Sequence, residues 1–398
     1  MELSHRITHL LGDGDGDDGW GVFYRARAMK AAGRDVIELT IGEHDIRTDP
    51  VILEAMHAAA LAGQTGYASI PGIPALRDAV AARVQARTGV ATTRANVQIM
   101  PGGQAALFAA LHATADQGDS ALYVEPAYVT YPGVFRALGL TPCPVPAWPE
   151  DGFQPRAADL DAAARAAHRP RALLINSPNN PTGGVYDAST LEGVARVVTD
   201  YDLWLISDEV YDTQVWEGTH LSPRAMPGMA ERTLVIGSMS KSHAMTGSRI
   251  GWVVGPEAAV ARLADLATHT TYGVPGFVQE AALFALMQGD ALEAQVAAPF
   301  LRRRALALDL LERQNIVRAQ PPQGAMYLML DIRATGMTGE DFAMALLEQH
   351  GIAVMPGESF GAAAAGHLRV AMTVADDVFV AALARLLDFA AERAAQAA

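Results

Sequence analysis

The sequence predicts an α/β protein. We expect a large domain with a mostly parallel sheet sandwiched between helices, and a smaller α/β domain formed by the N- and C-terminal segments. Between about residues 96 and 255, short runs that are apolar on both faces alternate with helical patterns, which is typical of a parallel sheet covered on both sides. The chain has 398 residues and 50% hydrophobic content, enough for two or three domains.

The strands of the large sheet are predicted from six apolar runs, with helical stretches such as GQAALFAALHATA and ASTLEGVARVVTDYD between them. Long helical patterns follow residue 275, and strands GAMYLMLDI, GIAVMP and HLRVAMT and a helix GEDFAMALLEQH follow these. The six predicted strands are 97–100, 121–125, 172–176, 203–207, 233–237 and 249–255. The predicted division is an N-terminal arm and part of the small domain over 1–45, the large domain over 46–285, and the small C-terminal domain over 286–398.

Charge and composition exclude several classes of protein. The net charge of −14 argues against nucleic acid and anionic membranes as partners. The single cysteine, Cys143, excludes a disulfide within the chain, and no cluster of Cys or His has the spacing of a metal site. The first residues lack the apolar stretch of a signal peptide, and no apolar run is long enough to cross a bilayer. We therefore predict a cytoplasmic protein without metal.

Chemically distinctive residues follow the predicted strands at their carboxyl ends. They are Gly102 and Gly103, Asn180, Asp208 and Lys241. Ligands of parallel sheets bind just beyond these ends, so four neighbouring strand ends are expected to converge on one crevice. Only two lysines occur among the 30 basic residues. A lysine amine can lose its proton and attack a carbonyl, whereas a guanidinium cannot, which makes Lys241 a candidate nucleophile.

Two other motifs favour different functions, and both are weak. The segment GDGDGDDG contains a G-x-G-x-x-G pattern, but it follows no strand and its aspartates would repel a pyrophosphate, so we interpret it as an acidic loop. Ser238 and Lys241 match the S-x-x-K of penicillin-recognising enzymes. The K-T-G and S-D-N motifs that accompany it in those enzymes do not occur in this chain.

Several segments together resemble the class I/II aminotransferases, which have fold type I and use pyridoxal 5′-phosphate. The resemblance covers about residues 20 to 375 in the order of that family. AAGRDVIELTIGEHD resembles its L-x-x-G-E-P-D stretch, with His44 in place of the usual proline. The other matching segments are GYASIPGIPALRDAVA, EPAYVTYP, NSPNNPTGGVY, SDEVY, SMSKSHAMTGSRIGW, PPQGAMYLMLDI and HLRVAMT.

The resemblance implies a role for each matching residue around the cofactor. Lys241 would form an imine with the cofactor aldehyde and carry a proton from the substrate Cα. Asp208 would keep the pyridine nitrogen protonated. Asn180 and Tyr211 would hydrogen-bond the ring 3′-oxygen, and Tyr128 would stack on the ring. Lys241, Asp208 and Tyr211 thus form the predicted catalytic group; a plain helix cap remains the alternative for Asp208.

Phosphate and substrate binding are assigned by the same resemblance. Tyr67 resembles a tyrosine that reaches the phosphate from the partner subunit, which implies a homodimer with a shared active site. Arg369 would bind the substrate α-carboxylate, with Asn180 and the backbone of Gly42 close by. The cofactor phosphate would be held at a helix start and by neighbouring hydroxyl and guanidinium groups, which belong to Gly102, Gly103, Gln104, Ser238, Ser240 and Arg249.

The substrates are expected to be an amino acid and a 2-oxo acid. Dicarboxylate-specific members carry a second cation, and here residues 268–277 contain no Arg or Lys, while Gln104 stands where a lysine occurs in some of them. The longer matches most resemble members that transfer an amino group from arginine to pyruvate. A basic or broad neutral donor is therefore expected; an aspartate or aromatic aminotransferase, or a C–S lyase on the same fold, are the alternatives.

Overall fold

The large sheet has the predicted mixed, mostly parallel arrangement. The computed structural model describes residues 1, 3–11 and 19–397. Within these residues, seven strands follow the order β2-β8-β7-β6-β5-β3-β4, and only β8 runs antiparallel to its neighbours β2 and β7. The strands are β2 (Val97–Met100), β3 (Ser120–Glu125), β4 (Thr141–Pro146), β5 (Pro170–Asn176), β6 (Trp204–Asp208), β7 (Thr233–Ser238) and β8 (Gly251–Val254).

The ends of the six predicted strands lie within two residues of the observed ends. Two features of the sheet differ from the prediction: it has a seventh strand, and its strand order is different. The strand β4 was missed, because its sequence TPCPVP contains three prolines, which lack the N–H group that a central strand needs. It lies at the edge of the sheet, where that N–H is dispensable. The expectation of four neighbouring strand ends was wrong in one respect, since β8 separates β2 from β7.

Helices cover both faces of this sheet, because successive side chains of a buried strand point to opposite faces. Ala172 and Leu174 pack with the helices of one face, and Leu173 and Ile175 pack with those of the other. The helices before residue 290 are α1 (His5–Thr8), α2 (Gly21–Ala31), α3 (Pro50–Leu61), α4 (Pro74–Thr88), α5 (Gly103–Thr114), α6 (Tyr131–Leu138), α7 (Ala157–Ala166), α8 (Ala188–Asp200), α9 (Met239–Ser242), α10 (Glu257–Thr268) and α11 (Gly276–Met287). The α/β fold class is thereby confirmed.

A second set of strands joins the N-terminal segment to the C-terminal part of the chain. The strand β1 (Ile37–Glu38) pairs in parallel with β11 (Ile352–Ala353), and a four-stranded sheet has the order β12-β13-β10-β9. Buried side chains of α2 share the same core, as expected for a segment that packs against the C-terminal unit. The remaining elements are β9 (Arg318–Ala319), β10 (Tyr327–Asp331), β12 (Met355–Pro356), β13 (His367–Ala371), α12 (Asp290–Glu312), α13 (Gly339–His350) and α14 (Asp376–Ala397).

In the C-terminal part of the chain, the helix α13 was predicted correctly and the strand GIAVMP was not. The helix α13 has the predicted bounds, because the Thr338 side chain accepts a hydrogen bond from the backbone of Asp341 and Gly351 ends the helix at a φ of 66°. The run GIAVMP was predicted as one strand, but it divides into β11 and β12, which belong to different sheets. Among the described helices, none combines the length and the apolar character needed to cross a membrane.

Candidate active site

A cavity of about 340 Å³ lies at the carboxyl edge of the large sheet, where the 40–48 segment and β13 approach it. This volume is within the range of about 300–1,000 Å³ that is usual for small-molecule sites. The cavity brings together predicted residues from strand ends that are far apart in sequence. Those that line it are Gly42, Gly103, Gln104, Tyr128, Asn180, Asp208, Tyr211, Ser238, Ser240, Lys241, Arg249 and Arg369.

Lys241 lies in the short helix α9, directly after β7. The side chain of Ser238 caps this helix by accepting a hydrogen bond from the backbone N–H of Ser240 at 3.1 Å. The Lys241 amine donates to the backbone carbonyl of Gly42. Burial, assisted by the positive charge of Arg369, lowers the pKa of Lys241 to about 8, so a minor fraction of the amine is unprotonated at neutral pH, far more than for an ordinary lysine.

Asp208 ends β6 and is 8% exposed. Its Oδ2 accepts a hydrogen bond of 2.6 Å from the hydroxyl of Tyr131, and its backbone carbonyl accepts one of 2.9 Å from the Asn176 side chain. Burial raises the pKa of Asp208 to about 6, and the bond from Tyr131 only partly offsets this. Sequence analysis assigned no role to Tyr131 or Asn176, although both lie inside the matching segments EPAYVTYP and NSPNNPTGGVY.

Arg369 lies in β13 and is 2% exposed. Its guanidinium donates to the Asn180 side chain at 2.9 Å and to the backbone carbonyl of Thr40. The rings of Tyr327 and Phe360 each lie 4.6 Å from the guanidinium carbon. Its Nε is buried without a hydrogen-bond partner among the described residues. Burial lowers the pKa of Arg369, and the neighbouring tyrosines Tyr327, Tyr211 and Tyr128 only partly offset this.

Tyrosine and asparagine side chains connect this arginine to the strand ends. The hydroxyls of Tyr211 and Tyr327 lie 2.8 Å apart, and Asn180 donates to the Tyr327 hydroxyl at 3.4 Å. The backbone N–H of Asn180 donates to the Asn176 side chain at 2.8 Å. Burial strongly raises the pKa of Tyr211, which therefore stays protonated and can donate a hydrogen bond. Tyr327 is a site residue that sequence analysis placed in a strand without a role.

Hydrogen-bond donors for an anion gather at the other end of the cavity. Gly102 precedes α5 at a φ of 83°, and the described chain provides no side-chain cap for this helix, so its first N–H groups point outward. The guanidinium of Arg249 lies directly beside Gly102, where a Cβ would collide with it. Arg249 donates to the backbone of Thr246 at 2.7 Å. Gly102 itself does not line the cavity, although Gly103 does.

Tyr67 is not part of the cavity. Its side chain is 90% exposed, and its ring packs edge-on against Tyr272 at 4.9 Å between ring centres. Within this chain, therefore, the structure does not bring Tyr67 to the other predicted residues. The predicted acidic loop at residues 12–18 lies outside the described residues. In the described part of the chain, no group of three or more His, Cys, Asp or Glu side chains could hold a metal ion.

The charges around the cavity complement the groups of pyridoxal phosphate. Asp208 is a buried carboxylate without an ion-pair partner in the described chain, as a protonated pyridine nitrogen requires. The Lys241 amine would be available to an aldehyde, and the start of α5 with Arg249 would offer donors to a phosphate. The Arg369 guanidinium would be available to a substrate carboxylate. The residues present therefore fit the cofactor together with an amino acid.

Comparison with known proteins agrees with this fold. The family described as "Aminotransferase class I and II" matches residues 34–386. The chain belongs to this family, whose members use pyridoxal phosphate.

Two curated relatives and one solved structure illustrate the similarity. Arginine–pyruvate transaminase AruH of Pseudomonas aeruginosa is 42% identical over 385 residues, which cover 96% of this chain and 97% of that protein. The aspartate/prephenate aminotransferase of Thermus thermophilus is 36% identical over 366 residues, covering 91% and 92%. The aspartate aminotransferase of Thermus thermophilus with maleate superposes with a TM-score of 0.88 at 34% identity, covering 97% of this chain and 100% of that structure.

The lowered pKa of Lys241 can be tested in protein freed of cofactor. An amine-selective reagent should modify Lys241 half-maximally near pH 8, with Lys30 as the reference lysine in the same digest. In Arg369→Gln the midpoint should rise, because a positive neighbour that disfavours the ammonium form is removed. Peptide mass spectrometry across a pH series gives both profiles. Midpoints that do not differ between wild type and Arg369→Gln would exclude the proposed influence of Arg369.

Proposed function

We propose that this protein transfers the amino group of an L-amino acid, arginine or a broad range of basic and neutral amino acids, to a 2-oxo acid such as pyruvate. The proposal is carried by one observation. A lysine amine, a buried carboxylate and a buried guanidinium face one cavity, and none of them has an ion-pair partner in the described chain. This combination suits an aldehyde cofactor with a cationic ring nitrogen and a substrate with a carboxylate.

Each residue of the cavity has a task in this reaction. When bound, pyridoxal phosphate supplies a conjugated ring that accepts the electron pair left on the substrate Cα after proton removal. Arg369 binds the α-carboxylate and so fixes the orientation of the Cα–H bond. The Lys241 amine would take the proton from the substrate Cα. Asp208 would keep the ring nitrogen protonated, and Tyr211 and Asn180 would donate hydrogen bonds to the ring oxygen.

Two features support a donor other than aspartate. Gln104 lies on the cavity wall and carries no charge, and residues 268–277 contain no Arg or Lys. A dicarboxylate would therefore find no cation for its side-chain carboxylate among these positions. The 42% identity to a transaminase named for arginine and pyruvate favours those substrates for this chain as well. The two-step exchange follows a ping-pong order, because donor and acceptor use the same Arg369 in turn.

A homodimer with a shared active site is part of the proposal, as is a cytoplasmic location. Tyr67 and Tyr272 are 90% and 52% exposed, and their rings pack against each other at the surface. Large exposed aromatic side chains are typical of protein interfaces. In a dimer, Tyr67 would reach the phosphate site of the partner subunit.

The two lysines of the chain allow a matched test of the cofactor assignment. Lys241→Ala should lose the visible absorbance of lysine-bound cofactor, and its transaminase rate should fall by at least about 100-fold, because both the covalent link and the proton carrier are removed. Lys30→Ala should keep both, since Lys30 lies in α2, where its amine pairs with Glu38 at 3.4 Å. Unchanged absorbance in Lys241→Ala would overturn the assignment.

The donor range is tested with a kinetic panel. With pyruvate as acceptor, kcat/KM should be higher for arginine, alanine and leucine than for aspartate. Gln104→Lys should raise kcat/KM for aspartate about tenfold, as expected for one hydrogen bond to a charged group, while Gln104→Leu should not. A strong wild-type preference for aspartate with 2-oxoglutarate would contradict the proposal. Pyruvate release from a sulfur amino acid without an oxo acid would instead indicate a C–S lyase.

The shared site is tested by mixing two impaired variants. Light scattering should give twice the chain mass of 42.1 kDa. Tyr67→Ala and Lys241→Ala should each be weak alone, but subunit exchange should restore activity, because one of the two sites in a mixed dimer then has both wild-type residues. A monomer, or a mixture no more active than the sum of its components, would exclude a site shared through Tyr67.

A further inference from the structure

The 40–48 segment connects the active-site lysine with the part of the chain that carries Arg369. Its backbone accepts hydrogen bonds at Thr40 from Arg369 and at Ile41 from Thr373, and Asp45 pairs with Arg303 at 2.6 Å. Three further contacts between the segment and the loop around Lys241 have a backbone carbonyl as the acceptor. These join Gly42 to the Lys241 amine, His44 to the Lys241 carbonyl, and Thr48 to the Ala244 carbonyl.

His44 makes the contact that the family pattern does not provide. Its Nε2 lies 3.0 Å from the backbone carbonyl oxygen of Lys241, and because a carbonyl only accepts, Nε2 carries the proton. Its Nδ1 is buried without a partner in the described chain, and its ring packs edge-on against Phe300 at 5.3 Å. The proline that resembling sequences carry at this position has no side-chain donor.

The His44 ring can donate this hydrogen bond to the Lys241 carbonyl at any pH near neutrality. Burial and the positive charge of Lys241 lower the pKa of His44 to about 4, and the nearby Asp45 only partly offsets this. The ring is therefore neutral. With Nδ1 deprotonated, the neutral ring has a single N–H donor, and the geometry directs that donor to Lys241. Gln214, which is fully buried, donates to the same carbonyl at 3.2 Å.

We propose that His44 is a positioning residue for Lys241. Together with Gly42 it holds both ends of the lysine: the backbone of residue 42 accepts from the amine, and the imidazole of residue 44 donates to the main-chain carbonyl. The two contacts come from one short segment, so the amine and the main chain of Lys241 are held relative to the same backbone. The inference rests on the proposed function, since it assigns Lys241 as the reacting amine.

Three substitutions separate the hydrogen bond from the shape of the ring. His44→Phe keeps a ring against Phe300 but has no donor, His44→Pro introduces the residue of the family pattern, and His44→Gln places an amide N–H at about the reach of Nε2. Thr48→Val is the matched control, because it removes the neighbouring 2.6 Å bond from the same segment to Ala244 and leaves Lys241 untouched.

Two measurements are expected to change in the His44 variants: the rate of cofactor attachment and kcat. On addition of pyridoxal phosphate to cofactor-free protein, the absorbance of lysine-bound cofactor should appear about fivefold to tenfold more slowly in His44→Phe and His44→Pro, the factor that one ordinary hydrogen bond supports. The kcat per bound cofactor should fall by a similar factor, while KM for the donor stays within about twofold, because Arg369 is untouched. His44→Gln should restore most of both rates.

The outcomes distinguish this inference from the proposed function. If wild-type protein forms no lysine-bound cofactor, the proposed function fails. If wild type behaves as expected and His44→Phe matches it, only the positioning role of His44 is wrong. Equal losses in Thr48→Val and His44→Phe would also overturn it, because the rigidity of the whole segment would then explain the effect. A lower melting temperature with unchanged rates per bound cofactor would indicate a purely structural histidine.

Discussion

Lys241, Asp208 and Arg369 bring two positive charges and one negative charge to a cavity in which none of them has an ion-pair partner in the described chain. Removing an ion from water costs several kcal/mol even after relaxation of the protein. The fold offsets part of this cost with neutral hydrogen bonds, such as the 2.6 Å bond from Tyr131 to Asp208. The remaining cost appears as shifted pKa values, about 8 for Lys241 and about 6 for Asp208.

These shifts have a direct chemical use. A lysine with a pKa near 8 is partly unprotonated at neutral pH and can react with an aldehyde. An aspartate whose pKa is raised by burial is stabilised when a cationic ring nitrogen approaches it, so binding a cofactor of that charge relieves an unfavourable environment. In the same way, the buried positive charge of Arg369 would be stabilised by the approach of a substrate carboxylate. The cavity is thus complementary to its ligands before they arrive.

The rigidity of the large sheet explains how such groups are placed together. Asp208 ends β6 and Lys241 follows β7, two adjacent parallel strands, so their positions depend on backbone hydrogen bonds rather than on flexible loops. Arg369 comes from another sheet, and its distance from the lysine depends on the 40–48 segment. That segment receives hydrogen bonds from both Arg369 and Lys241, and therefore fixes the guanidinium and the amine relative to the same stretch of backbone.

The sequence by itself determined the α/β class, most strand positions and twelve of the residues that line the cavity. The class and the strand positions could be predicted because buried parallel strands are continuous apolar runs, and Gly103, Asn180, Asp208 and Lys241 because residues at the carboxyl ends of such strands converge by topology. The other cavity residues were predicted from the resemblance of their segments to the aminotransferase family. Only the tertiary structure decided the roles of Tyr131, Tyr327 and His44, and the edge position of β4. These depend on contacts between segments up to about two hundred residues apart, such as the one between His44 and Lys241. No local period or spacing in the sequence encodes which distant backbone carbonyl a buried side chain will meet.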